Sequence, residues 1–202
     1  MRILILLLVC VGFVPWSQAA KPSIPFTPAH GLRPWETHAL DLSSGVLWGL
    51  RMNTPLSYRL VPTELSWRSP QAFGRVLDGG GRLMIRHRLT LIGNWIQQGP
   101  ESRYLAFSGS PSIEWWNPEG TWALVGGAGG GFGWIDSRQV PGGQGQDFTL
   151  NWFVRLGFEQ APTPHRRFGA GLMFNHLSNG GQTEPNPGLN AIGFTLSHAW
   201  SF

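Results

Sequence analysis

Over the last eleven residues of the chain, large side chains occupy every second position. Ile192, Phe194, Leu196, His198, Trp200 and Phe202 alternate with Gly193, Thr195, Ser197, Ala199 and Ser201. A period of two gives an extended strand two unlike faces. The alternation is clearest between Phe148 and Gln160, where Phe148, Leu150, Trp152, Val154, Leu156 and Phe158 interleave with Thr149, Asn151, Phe153, Arg155, Gly157 and Glu159. After a proline-rich lead-in (21–34), the pattern predicts eight strands, near Thr37–Leu50, Tyr58–Trp67, Arg82–Trp95, Arg103–Trp116, Thr121–Ile135, Asp147–Gln160, Arg167–Ser178 and Leu189–Phe202. Turn-rich pieces such as Asn117-Pro118-Glu119-Gly120 and Ala161-Pro162-Thr163-Pro164 separate them. Pro62 weakens the second strand, because proline cannot donate to a ladder.

A soluble sandwich can show the same alternation. A chain that is exported and closes on a strand ending in an aromatic residue points instead to an eight-stranded antiparallel transmembrane β-barrel of the outer membrane. An even strand count closed on itself leaves no unpaired edge in lipid. The polar faces then turn inward, where Arg86, Arg88, Arg155, Glu114 and Glu159 can neutralise one another. A buried catalytic cluster could be drawn from the same charges, but packing explains them more simply. Gly127, Gly129, Gly131 and Gly133 share one face of the fifth strand. They lack the Lys-Ser/Thr of a phosphate loop and are read as making room for interior side chains.

Export is read from the other end. Residues 1–19 combine an early positive charge (Arg2), an apolar run from Ile3 to Pro15 and a small-x-small Ser17-Gln18-Ala19, the pattern of a signal peptide cut after Ala19. The run is too short to span a bilayer as a helix. Residues 20–202 then form a single barrel domain. The one cysteine, Cys10, falls in the leader, which leaves no thiol or disulfide chemistry. Charged residues are only 13% of the chain, against 28 glycines and 11 tryptophans, a balance suited to a small barrel with a lipid-facing belt. The net charge of +4 comes with no basic run, so nucleic acid is not expected as a partner.

One segment looks chemical: Phe174 to Asn190, FNHLSNGGQTEPNPGLN. His176 and Ser178 are two apart, so they share a face with Phe168, Ala170, Leu172 and Phe174, while Arg167, Gly169, Gly171 and Asn175 take the other. That count puts the pair on the lipid side. Asn190 shares its face with Ile192 and Phe194, and the two strands are hairpin neighbours, so the three polar residues can meet on the outer wall. A serine needs a neighbouring base to become a nucleophile, and the base needs a third group to hold its tautomer. The plainer alternative is that both sit at the headgroup boundary, where polar side chains are tolerated. The other histidines (His30, His38, His87, His165, His198) lack ligand spacing, and no metal site is expected.

His-x-Ser-Asn, a short loop, then Asn-Pro-Gly before a C-terminal strand resembles the outer-membrane lipid A 3-O-deacylases (PagL type, also catalogued as acyloxyacyl hydrolases). The motif covers about fifteen residues; the leader, length and strand pattern extend the likeness less specifically. The resemblance implies an eight-stranded barrel that removes an ester-linked acyl chain from lipid A, without metal or other cofactor. It makes Ser178 the nucleophile and His176 the base. Asn179 and Asn186 become candidates for positioning or oxyanion stabilisation, in competition with backbone N–H groups. The family's third member is an acid, whereas the matching position here is Asn190, with Glu184 in the loop as a substitute. An asparagine can orient a histidine, but it stabilises imidazolium less than a carboxylate does.

With both termini on the periplasmic side, the seventh strand runs outward and ends near the extracellular face, where lipopolysaccharide fills the outer leaflet. The expected function is therefore a serine esterase acting on lipid A in the membrane. A non-catalytic barrel with a binding or membrane-integrity role and a phospholipid hydrolase stand as alternatives. Association of two barrels into a homodimer is left open.

Overall fold

The computed structural model describes residues 33–52 and 55–202; the expected leader, 1–19, lies outside them. Eight strands follow in order: β1 (Ala39–Leu50), β2 (Arg59–Val76), β3 (Arg82–Gln98), β4 (Arg103–Trp116), β5 (Trp122–Ile135), β6 (Phe148–Thr163), β7 (Arg166–Ser178) and β8 (Leu189–Ser201). Each is antiparallel to its neighbours. β1 also pairs with β8, from Ala39↔Ser201 to Leu50↔Asn190, closing the barrel so that no edge is left open.

The burial pattern decides between sandwich and barrel. Arg68, Arg86 and Arg167 are at most 1% exposed, while Leu156, Phe194 and Leu196 are 62–69% exposed. A soluble core would reverse those values, because burying unpaired charge and exposing apolar surface are both costly in water. Charges inside and hydrocarbon outside suit only a barrel in lipid. Trp48, Trp95, Trp134 and Trp152 ring one end of the outer wall, and Trp67, Trp115, Trp122 and Trp200 the other, as interfacial girdles do.

The lumen is filled in layers. An apolar plug that includes Leu47, Leu60, Ile96, Tyr104, Phe153, Leu177 and Leu189 lies under the connections 51–58, 99–102, 136–147 and 179–188, here called the loop end. Midway, Arg68 is the hub of an ionic belt. Its Nη2 lies 2.7 Å from both Asp41 and Glu159, and its Nη1 2.9 Å from Glu114. Arg86 flanks Glu114, Arg167 flanks Glu159, and Arg155 pairs with Glu64 at 3.1 Å. At the terminal end the segment before β1 closes the mouth. Arg86 and Arg167 donate to the Pro34 carbonyl at 3.2 and 3.3 Å, and Trp35 packs edge-on against Trp116.

The expected inward charges are thus paired, though their hub, Arg68, and its partner Asp41 were not among them. The β5 glycines face inward as expected. A Cβ at Gly129 would meet the Phe153 ring at 2.9 Å, and one at Gly133 the Tyr104 ring at 2.8 Å. Strands β2, β3 and β6 run past the ends that the sequence reading gave them, β3 as far as Gln98. β2 continues nine residues past Trp67, through register shifts between Arg68 and Phe73, because β3 supplies a partner as far as Val76↔Arg82. β6 runs through Pro162 to Thr163, leaving residues 164–165 as the turn. Pro62 lies inside β2 and is tolerated: the β1–β2 pairing lapses opposite it, and Ser44 Oγ donates to its carbonyl at 2.8 Å.

Candidate active site on the outer wall

β7 and β8 run side by side with His176 directly opposite Asn190. Their inward residues, Met173, Leu177, Leu189 and Ala191, are buried in the apolar plug. Burying a leucine there contributes roughly 1.5–3 kcal/mol, which pins the strand faces and forces the alternate residues outward. His176 and Ser178 are half-buried on that outer face, and Asn190 lies beneath them, 7% exposed.

His176 Nδ1 and Asn190 Oδ1 are 2.7 Å apart. For the amide oxygen to accept, Nδ1 must carry the hydrogen, so Nε2 presents the lone pair. On its other side His176 meets Trp152 of β6, ring centroids 5.7 Å apart and 32° between planes, and Trp152 in turn packs on Phe174. An aromatic face within about 6 Å favours a cationic imidazolium. Ser178 stands one same-face step beyond His176, across from Leu150. Among the described residues its Oγ makes no hydrogen bond and neither does His176 Nε2, so each is free to turn towards the other.

The loop residues divide. Asn179 is fully buried and spent on loop shape: Nδ2 donates to the Gln144 carbonyl (2.6 Å) and the Thr183 carbonyl (2.8 Å), and Oδ1 accepts from the N–H of Gly181 at 2.8 Å. Asn186 Oδ1 accepts the Asn179 N–H at 3.0 Å, leaving its Nδ2 without an acceptor among the described residues. Gly180 and Gly181 take φ of 67° and 74°, the left-handed turn that lets the chain reverse after Asn179. Glu184 is exposed, and its carboxylate makes no hydrogen bond among the described residues. Asn190, not Glu184, is the group on His176.

Two contributors escaped the sequence reading. Trp152 was visible as an outward aromatic, but only the β6–β7 register sets it against His176. Gln144, buried in the connection 136–147, carried no signal at all. His198 stacks between Phe168 and Trp200 at the terminal end, and His38 between Trp67 and Phe202, as girdle aromatics. Among the described residues no group of three or more His, Cys, Asp or Glu side chains is placed to hold a metal ion.

By its inverted burial the molecule is an outer-membrane β-barrel, and the polar group that β7 and β8 present on its outer wall is centred on a histidine. It belongs to the lipid A 3-O-deacylase (PagL) family, whose model matches residues 58–199, more than two thirds of the chain. Membership carries the coarse assignment, a lipid A deacylase of the bacterial outer membrane. The crystal structure of the outer membrane enzyme PagL is similar at a TM-score of 0.54 and 17% identity, over 79% of this chain and 97% of that one. The crystal structure of Neisserial surface protein A is similar at 0.53 and 13%, over 82% and 97%. At those identities the likeness is one of fold. No curated protein sequence matches the chain significantly.

Proposed function

We propose that this protein is a serine esterase that hydrolyses an ester-linked acyl chain of lipid A, at the 3-O position named for its family, from the extracellular side of the outer membrane. Ser178 is the nucleophile, His176 the general base and Asn190 the group that orients His176. The observation that supports the reading is the 2.7 Å contact between His176 Nδ1 and Asn190 Oδ1, which places the hydrogen on Nδ1 and leaves the basic lone pair on Nε2.

In the proposed reaction Ser178 Oγ attacks the ester carbonyl carbon while its proton passes to His176 Nε2. The oxyanion of the tetrahedral intermediate is met by Asn186 Nδ2 and backbone N–H groups of the loop, with Asn179 as the positioning residue that shapes that loop. Collapse breaks the bond to the sugar oxygen, which takes the proton from His176. Water, deprotonated by His176, then releases the fatty acid from Ser178. The imidazolium formed along the way is neighboured by the Asn190 dipole and the Trp152 ring instead of a carboxylate. Every group in this scheme comes from one chain, so it needs no second barrel.

The test is the lipid A of cells expressing the wild type, Ser178→Ala or His176→Ala. The wild type is expected to remove one acyl chain by mass, and both variants to leave lipid A intact while still migrating as folded barrels. Unmodified lipid A with the wild type would favour the non-catalytic barrel, for which the asparagine at position 190 speaks. Fatty acid released instead from phospholipid, seen by thin-layer chromatography, would move the substrate.

A further inference from the structure

All four connections at the loop end are joined by one buried chain of hydrogen bonds. Tyr58, just before β2, donates its hydroxyl to Glu101 Oε2 at 2.9 Å. Ser137 donates its hydroxyl to Glu101 Oε1, also at 2.9 Å. The Gln144 backbone N–H donates to Ser137 Oγ. Gln144 then grips the loop that follows the candidate nucleophile at both ends: its carbonyl accepts from Asn179 Nδ2 at 2.6 Å, and its Oε1 accepts the Gly188 N–H at 3.2 Å. All five of these side chains are buried, at 4% exposure or less. A buried polar group costs free energy unless it is bonded, and linked groups polarise one another, so such a chain holds one geometry. Burial, then the neighbouring Glu101, pushes the Tyr58 phenol up, which keeps it protonated as a donor.

The two ends that Gln144 holds are not arbitrary. Asn179 follows Ser178 directly, and Gly188 precedes the strand start that presents Asn190. The backbone carbonyl holds the Asn179 end and the side-chain oxygen the Gly188 end, while Nε2 finds no partner. Only the acceptor oxygen is used.

We propose that Gln144 is a positioning residue for hydrolysis, fixing the spacing between Ser178 and the His176–Asn190 pair, and that the Tyr58–Glu101–Ser137 chain fixes Gln144. The inference rests on the esterase reading above. Acyl-chain contacts lie on the outer wall, away from Gln144, so a change there alters turnover and not substrate binding.

The experiment compares refolded full-length wild type, Ser178→Ala, Gln144→Met and Gln144→Glu on lipid A in mixed micelles. Methionine keeps the volume and removes the acceptor; glutamate keeps an acceptor oxygen at the same reach. Gln144→Met is expected to lower kcat about tenfold, one lost buried hydrogen bond, with KM within twofold. Gln144→Glu is expected to recover at least half of the wild-type kcat. If Gln144→Met does not give a folded barrel, Ser137→Ala, which removes one hydroxyl from the chain, is expected to show the same split between kcat and KM. Wild-type kcat in the folded methionine variant, or a fall in both variants alike, overturns the positioning role while an inactive Ser178→Ala leaves the esterase reading standing. An active Ser178→Ala overturns both.

Discussion

The ionic belt inside the barrel and the polar group on its outer wall are built on opposite terms. In the belt, Arg68 spends all three guanidinium nitrogens on Asp41, Glu114 and Glu159, and these acids lean on further arginines. On the wall, one bond holds His176, while His176 Nε2, Ser178 Oγ and Asn186 Nδ2 remain without partners among the described residues. A network of interlocked charges resists change, because removing one charge strands several others in a medium that solvates them poorly. An unsaturated group has valences left for a substrate. The rigid half supports the reactive half.

The strongest way to break this contrast is Arg68→Ala. It leaves Asp41, Glu114 and Glu159 facing one another, and a loss of roughly 3–5 kcal/mol is expected in urea unfolding of the refolded barrel. Stability equal to wild type would show that the belt is filler. Next comes position 190. Asn190→Ala, which frees Nδ1, is expected to cut kcat by about 10²-fold, within the range for a positioned acid–base group, with the barrel still folded. Asn190→Asp is expected to raise kcat above wild type, since a carboxylate stabilises imidazolium better than an amide does. A fall with aspartate would mean that the site is tuned to a neutral partner. Trp152→Leu should cost less, a few-fold in kcat, matching a cation–π contact of about 0.5–1 kcal/mol.

The smallest effect expected is at Asp136. Burial works to raise its carboxyl, but hydrogen bonds from Ser102 Oγ and the N–H groups of Arg103 and Ser102 outweigh this and hold it below the usual value of 3.8. A lowered carboxyl favours the fold fully above pH 3.8 and loses that contribution as the pH falls below it. Amide protection at Ser102 and Arg103, corrected for the intrinsic exchange rate, should therefore fall below about pH 4, and Asp136→Asn should flatten that response.

Much of this molecule was legible before any coordinates. Strands β4, β5, β7 and β8 end within a residue or so of where alternation put them, since lipid on one face and a crowded lumen on the other demand a strict period of two. The outward sense of His176, Ser178 and Asn190 followed from the same parity. Where the pattern loses its period, tertiary pairing decided. Residues 68–76 do not alternate cleanly, yet they form strand because β3 extends beside them.

The chain alone thus determined how many strands there are and which way the side chains of its regularly alternating stretches point, because a closed sheet in lipid leaves those choices no freedom. Cross-strand register and loop packing were decided only in three dimensions. Nothing local in the sequence says that Trp152 lies against His176, that Arg68 is the hub for three acids, or that Gln144 reaches across to Asn179 and Gly188. Each depends on residues tens of positions apart, and their meeting is fixed by closure of the whole barrel.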